Sequence, residues 1–179
     1  MINKGVLIGI AGKIKSGKDH VACLIRAMAK ADYGVDFLLD SWASSLRELF
    51  SLLTGIPADK TLTHEQKETH ISISIIHPPE KPQEFLIGFL KTYSFTDYTE
   101  ENCAKVISLF YLFLQDNPTI GKVLQYLGTD LMRNIIHQDI WTILLINRWK
   151  NRGRLNTIVT DCRFPNEVET IRKEDRKST

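Results

Sequence analysis

The chain has 179 residues, 43% of them apolar, with 23 basic and 21 acidic residues giving a net charge of +2. That length suits one domain with an ample core. The balanced charge lacks the dominant positive field of a duplex-DNA binder, so stable nucleic-acid binding is not expected. Cys23, Cys103 and Cys162 are far apart and odd in number, which argues for a reducing compartment and small buried apolar roles, not a disulfide framework.

The first element is "VLIGIA" (Val6–Ala11), a continuous apolar run of the kind a central parallel strand requires. It leads straight into glycines, a poor pattern for a signal peptide. From Lys18 onward Val21, Leu24, Ile25 and Met28 recur at helical spacing and predict a helix packed through that stripe. "VDFLLD" (35–40) predicts a second strand, and "SSLRELFSLL" (44–53) a helix stopped by Gly55 and Pro57. A middle section, about 58–120, reads as mostly helical, although the alternation in "ISISIIHPPEKP" favours a strand there. Its longest apolar run, "VISLFYLFL" from Val106, is too short to cross a bilayer. "GKVLQYLGTDLMRNII" and "DIWTILLINRWKNRG" predict two helices, "NTIVTD" (156–161) a third buried strand, and "PNEVETIRKE" a helix opened by proline. There are no repeats and no Gly/Ser-rich linker, so residues 1–179 read as a single domain.

Between the first strand and the first helix lies "GKIKSGKDH". Gly12, four residues and then Gly17-Lys18 form a phosphate-binding loop, in which backbone N–H groups wrap the phosphates and the lysine meets them. Lys13, Ile14, Lys15 and Ser16 complete the loop, with Lys15 a second cation beside the transferring group. Strand, glycine loop, helix and a later apolar strand ending in Asp161 are the skeleton of a P-loop nucleotide-binding α/β domain. Both ligand elements then lie at the carboxyl ends of parallel strands, where open sheets bind ligands. Asp161 suits Mg²⁺ held near the phosphates, or else caps a turn. A loop of this type normally continues with Ser or Thr, which holds Mg²⁺; here Asp19 and His20 follow.

Three segments, "GIAGKIKSGKDH", "VLQYLGTDLMRNIIHQDIW" and "IVTDCRFPNEVETI", together resemble the phage-type deoxynucleoside monophosphate kinases, with their GKxxSGKDT, LQxLGTDxxR…W and TDxRFxNE blocks in that order. The resemblance covers the ends of the chain well and the middle poorly. It implies a three-layer P-loop NTPase-type α/β fold with a small parallel sheet and a largely helical acceptor-binding insertion. It further implies an ATP-dependent, Mg²⁺-requiring kinase that transfers the γ-phosphoryl group to a deoxynucleoside 5′-monophosphate, working in the cytoplasm, that of the host if phage-encoded. Asp19 is expected on this resemblance, and with Asp161 it is a candidate metal ligand. His20 departs from the family's Thr: either its backbone N–H contacts phosphate or it is a solvent-facing residue of the first helical turn.

In the second block Gln125, Thr129 and Arg133 stand at i, i+4 and i+8, a polar stripe beside the apolar Leu124, Leu127 and Leu131. An amide, a hydroxyl and a guanidinium so aligned suit base edge, sugar and phosphate; a solvated helix face is the plain alternative. Gly128 lies within the same block. Trp141 either stacks on a base or packs in the core, whereas Trp42 and Trp149 read as core. Arg47 matches a basic position of the family and is a candidate for the acceptor phosphate. Lys122 supplies the only cation just before the LQ pair, where the family often has arginine. Arg163 stands on the loop after the third strand, where a cation neutralises transferring charge. Asn166 and Glu167 are acceptor-site candidates by resemblance, although Glu167 also suits a helix N-terminus.

The chain ends at Thr179, earlier than the family pattern, and a small sheet with an open edge implies a homodimer or a partner segment covering it. The competing readings are a weakened, truncated nucleotide-binding protein and another small-molecule P-loop kinase. The latter does not readily explain "LGTDLMRN".

Overall fold

The computed structural model describes residues 5–13, 16–57 and 63–176. The chain divides into two compact units: unit 1 holds residues 1–43 and 145–179, and unit 2 holds residues 44–144.

Unit 1 is built on a parallel sheet of β1 (Leu7–Ala11), β2 (Leu38–Asp40) and β3 (Thr157–Cys162), ordered β1-β3-β2 among the described residues. Thr157 lies opposite both Leu7 and Leu38, and Val159 opposite Gly9 and Asp40. The central strand β3 is buried from Thr157 to Thr160, as a strand paired on both sides and covered on both faces requires. Successive side chains point to opposite faces. Ile8, Ile10 and Ile158 pack with Ala22, Ile25 and Ala29 of α1 (Lys18–Tyr33). Leu7 and Val159 pack with Leu145, Ile146 and Trp149 of α7 (Ile140–Asn151) and Ile171 of α8 (Pro165–Arg176). The result is a three-layer α/β fold.

The inward face of α1 differs from the stripe expected from sequence. Val21, Leu24 and Met28 are exposed, Met28 by 62%, and the inward face is Ala22, Ile25 and Ala29. Periodicity gave the helix correctly but two apolar faces were available, and the one with two alanines lets the helix axis approach the sheet.

Unit 2 is mainly helical: α2 (Ala43–Thr54), α3 (His64–Lys67), α4 (Pro82–Thr92), α5 (Glu100–Leu114), α6 (Ile120–Gln125) and then a π-helix over Tyr126–Ile136. Its core gathers Phe50, Leu53, Leu86, Leu90, Phe110, Leu127 and Met132. Side-chain caps open three of these helices among the described residues: the Thr63 hydroxyl accepts from the Gln66 N–H at α3, Thr99 from the Asn102 N–H at α5, and Thr119 from the Lys122 N–H at α6.

The strand expected in "ISISIIHPPEKP" is not formed. Ile73–Ile75 is one 3₁₀ turn, in which the Ser72 hydroxyl accepts from the Ser74 N–H. A serine hydroxyl that satisfies a backbone donor locally competes with a sheet ladder, and Ile71 and Ile76 anchor the turn to the core. Trp42 and Trp149 are buried, as expected, and no helix among the described residues is long and apolar enough to cross a membrane.

Candidate active site

Because the three strands of unit 1 are parallel, Ala11, Asp40 and Cys162 end at one edge of the sheet, and the loops that follow them leave from that edge. The loop after β1 turns into α1 at Gly17, which caps the helix at φ 76° and ψ 19°. This left-handed conformation strains any residue with a Cβ. At Gly12 a Cβ would come within 2.7 Å of the Ser16 hydroxyl oxygen, so a larger residue there would have to displace that side chain, whereas at Gly17 the backbone conformation itself calls for glycine. The Lys18 ammonium donates to the carbonyls of Lys13 at 2.7 Å and Gly12 at 3.0 Å, and the Ser16 N–H donates to the Lys13 carbonyl. A cation is thereby held over the loop, beside the unpaired N–H groups that open α1. Asp19 and His20 are exposed in that first turn. Ile14 and Lys15 lie outside the described residues.

Three carboxylates hold the neighbouring loops. Asp161, near the end of β3, accepts from the backbone N–H groups of Trp42 at 2.8 Å and Ala43 at 3.3 Å, so it fastens the start of α2. Asp40, at the end of β2, is buried and accepts from Arg148 Nε at 3.0 Å and a terminal guanidinium nitrogen at 2.7 Å. Arg152 and the Ser41 N–H also reach Asp40. Glu167, 3% exposed, accepts from the N–H groups of Arg163 at 2.7 Å and Phe164 at 3.1 Å. It thus braces the loop that carries the exposed Arg163, while Asn166 is exposed on the first turn of α8.

Asp40, Arg148 and Arg152 escaped the sequence reading. The available signal was an aspartate closing an apolar strand and an arginine set between Leu145 and Trp149 on a helix otherwise buried on that side.

In unit 2, Arg47 and Arg133 are half-buried, and Lys122, Gln125 and Thr129 are exposed. Trp141 is 4% exposed and donates its indole N–H to the Gly128 carbonyl at 2.8 Å. Its ring belongs to the core and fixes the backbone within the "LGTD" segment. A separate groove of about 450 Å³ runs between Glu48, Leu52, Glu80, Glu84, Phe85 and Gly88. Lys81 lines it as well but is paired with Glu84, so carboxylates dominate its polar lining, and none of the candidate residues lines it.

A family profile described as deoxynucleotide monophosphate kinase matches residues 62–177. The chain belongs to the deoxynucleotide monophosphate kinase family. Most of the chain also matches the deoxynucleoside-5′-monophosphate kinase of Escherichia phage T5, with 28% identity over 190 residues, covering 94% of this chain and 72% of the relative. No solved structure matches. The protein is therefore a kinase of nucleotide metabolism.

Proposed function

We propose that the chain transfers the γ-phosphoryl group of ATP to a deoxynucleoside 5′-monophosphate, with the loop Gly12–Lys18 as the site of the ATP phosphates. The observation that carries this reading is the Lys18 ammonium fixed over a glycine loop at the N-terminus of α1. Backbone N–H groups and the helix dipole there bind the β- and γ-phosphates. Lys18 exchanges its carbonyl partners for phosphate oxygens and stabilises charge on them. An oxygen of the acceptor monophosphate attacks the γ-phosphorus in line, the bond to the β-phosphate oxygen breaks, and ADP leaves. Arg163, on a loop that Glu167 holds rigid, neutralises the transferring group. Arg47, Lys122 and Arg133 grip the acceptor phosphate, and Gln125 and Thr129 meet its sugar and base.

Magnesium brought with a nucleotide keeps several waters and takes one or two protein carboxylates. Asp19, exposed in the first turn of α1, would hold the ion directly. Asp161 already serves the α2 backbone with both oxygens and would act through water. When bound, the ion neutralises charge on the phosphates.

An ADP-release assay across the deoxy- and ribonucleoside monophosphates tests the proposal. Turnover with at least one deoxynucleoside monophosphate, lost in Lys18→Ala, is expected. Absence of turnover with every deoxynucleoside monophosphate, or full turnover in a folded Lys18→Ala variant, overturns it.

A further inference from the structure

The segment Tyr126–Ile136 is a π-helix, and its winding changes which side chains share a face. An α-helix closes i→i+4 hydrogen bonds at about 3.6 residues per turn; the i→i+5 step winds more slowly, to roughly 4.4 residues per turn. The closing bond is of this type, from the His137 N–H to the Met132 carbonyl.

Burial follows the slower period. The buried residues are Leu127, Gly128, Leu131, Met132 and Ile136, related by steps of four and five. Laid on an α-helix they would spread over half the circumference; on a π-helix they fall within about a third of it. The opposite side then gathers Gln125, Thr129, Asp130 and Asn134, all exposed, with Arg133 half-buried at its margin. The chains Gln125–Thr129–Asn134 and Gln125–Asp130–Asn134 run by the same steps of four and five. On an α-helix Asp130 and Asn134 would turn away from Gln125. The i→i+5 winding is rare, and the single-turn π-bulges in which it mostly occurs are frequent at functional sites.

We infer that Asp130 and Asn134 belong to the acceptor-reading face together with Gln125, Thr129 and Arg133, and that Asp130 accepts a hydrogen bond from the neutral part of the acceptor. This rests on the proposed assignment of Gln125, Thr129 and Arg133 to the acceptor. A carboxylate is an acceptor only and repels phosphate, so its partner is an O–H or N–H donor: the sugar 3′-hydroxyl or an amino group of the base. Asn134, with both donor and acceptor atoms, can take a further polar edge.

The test is steady-state kinetics of full-length Asp130→Asn and Asn134→Ala, with Glu101→Gln, at an exposed position of α5, as control, using a deoxynucleoside monophosphate that the parent accepts. Loss of a hydrogen bond to a charged group is expected to raise KM for the monophosphate roughly tenfold to a hundredfold in Asp130→Asn. KM for ATP, the melting temperature and the control should be unchanged. Asn134→Ala should move in the same direction by less. The matching 2′,3′-dideoxynucleoside monophosphate separates the donors. If it costs the parent as much as the substitution does and costs Asp130→Asn nothing more, the donor is the 3′-hydroxyl. If it weakens parent and variant equally, while Asp130→Asn penalises dCMP, dAMP or dGMP more than dTMP, the donor is the base. An unchanged monophosphate KM in Asp130→Asn overturns the inference while leaving the kinase reading intact; a parent inactive on all monophosphates fails that reading instead.

Discussion

The two units are held by different physics. Unit 1 has small apolar clusters and fastens its loops with charge: Asp40 to Arg148 and Arg152, Asp161 to the start of α2, Glu167 to the loop at Arg163. Unit 2 has one large apolar core and shapes its candidate face by helix winding. Where chemistry needs backbone loops at strand ends, carboxylates accepting N–H bonds fix them firmly. Where it needs a row of side chains, packing of the opposite side suffices.

The largest effect that could break this comparison is expected at Arg148. Arg148→Ala leaves the buried Asp40 without its bidentate partner and should cost about 3–5 kcal/mol of stability, seen as a fall in the thermal or denaturant midpoint. A cost near zero would show that unit 1 does not depend on its charges. Next comes Lys18→Ala, which should lower the rate on the order of 10² or more with an unchanged melt, measured as ADP release. Glu167→Gln keeps an acceptor but loses the charge, and about 1 kcal/mol of loop stabilisation should appear as a several-fold fall in kcat with little change in melting temperature. If melting falls and kcat does not, Glu167 serves the fold alone. Within the first turn of α1, Asp19→Asn should lower activity clearly while His20→Thr stays nearly silent, and magnesium titration of both variants checks it. The reverse ranking would make residue 20 the limiting position of the loop. The smallest change is expected for Met28→Lys, within about 0.5 kcal/mol of the parent, because Met28 lies on the exposed face of α1.

Local patterns explain what could be read in advance. The apolar runs at 6–11 and 156–161, the glycine spacing of the loop and the proline opening α8 are consequences of short-range geometry, so strands, loop and helix starts were legible. What escaped depends on distant partners. Asp40 and Arg148 are 108 positions apart, and nothing near Asp40 in sequence announces the arginine. Asp161 was expected either near the phosphates or capping a turn, and the two N–H groups it accepts from, Trp42 and Ala43, stand 119 and 118 positions away in sequence. The alternation of "ISISII" was real, but among the described residues the extended pairing stops at the single bridge of His70 with Thr119, and Ile73–Ile75 turns instead. The π-helix was read as α because Leu124, Leu127 and Leu131 also fit a step of three and four. Only Met132 and Ile136, taken together with Leu127 and Gly128, betray the slower winding.

The cysteines leave a practical consequence. Burial pushes the thiols of Cys103 and Cys162 up to about 11, which keeps them protonated and unreactive near neutral pH, whereas Cys23 is exposed on α1, five residues after Lys18. A maleimide dye added to the native protein should therefore attach at one position, little more than a helical turn from the phosphate loop. The wild-type chain thus carries its own handle for a fluorescence signal of nucleotide arrival, with no engineered cysteine required.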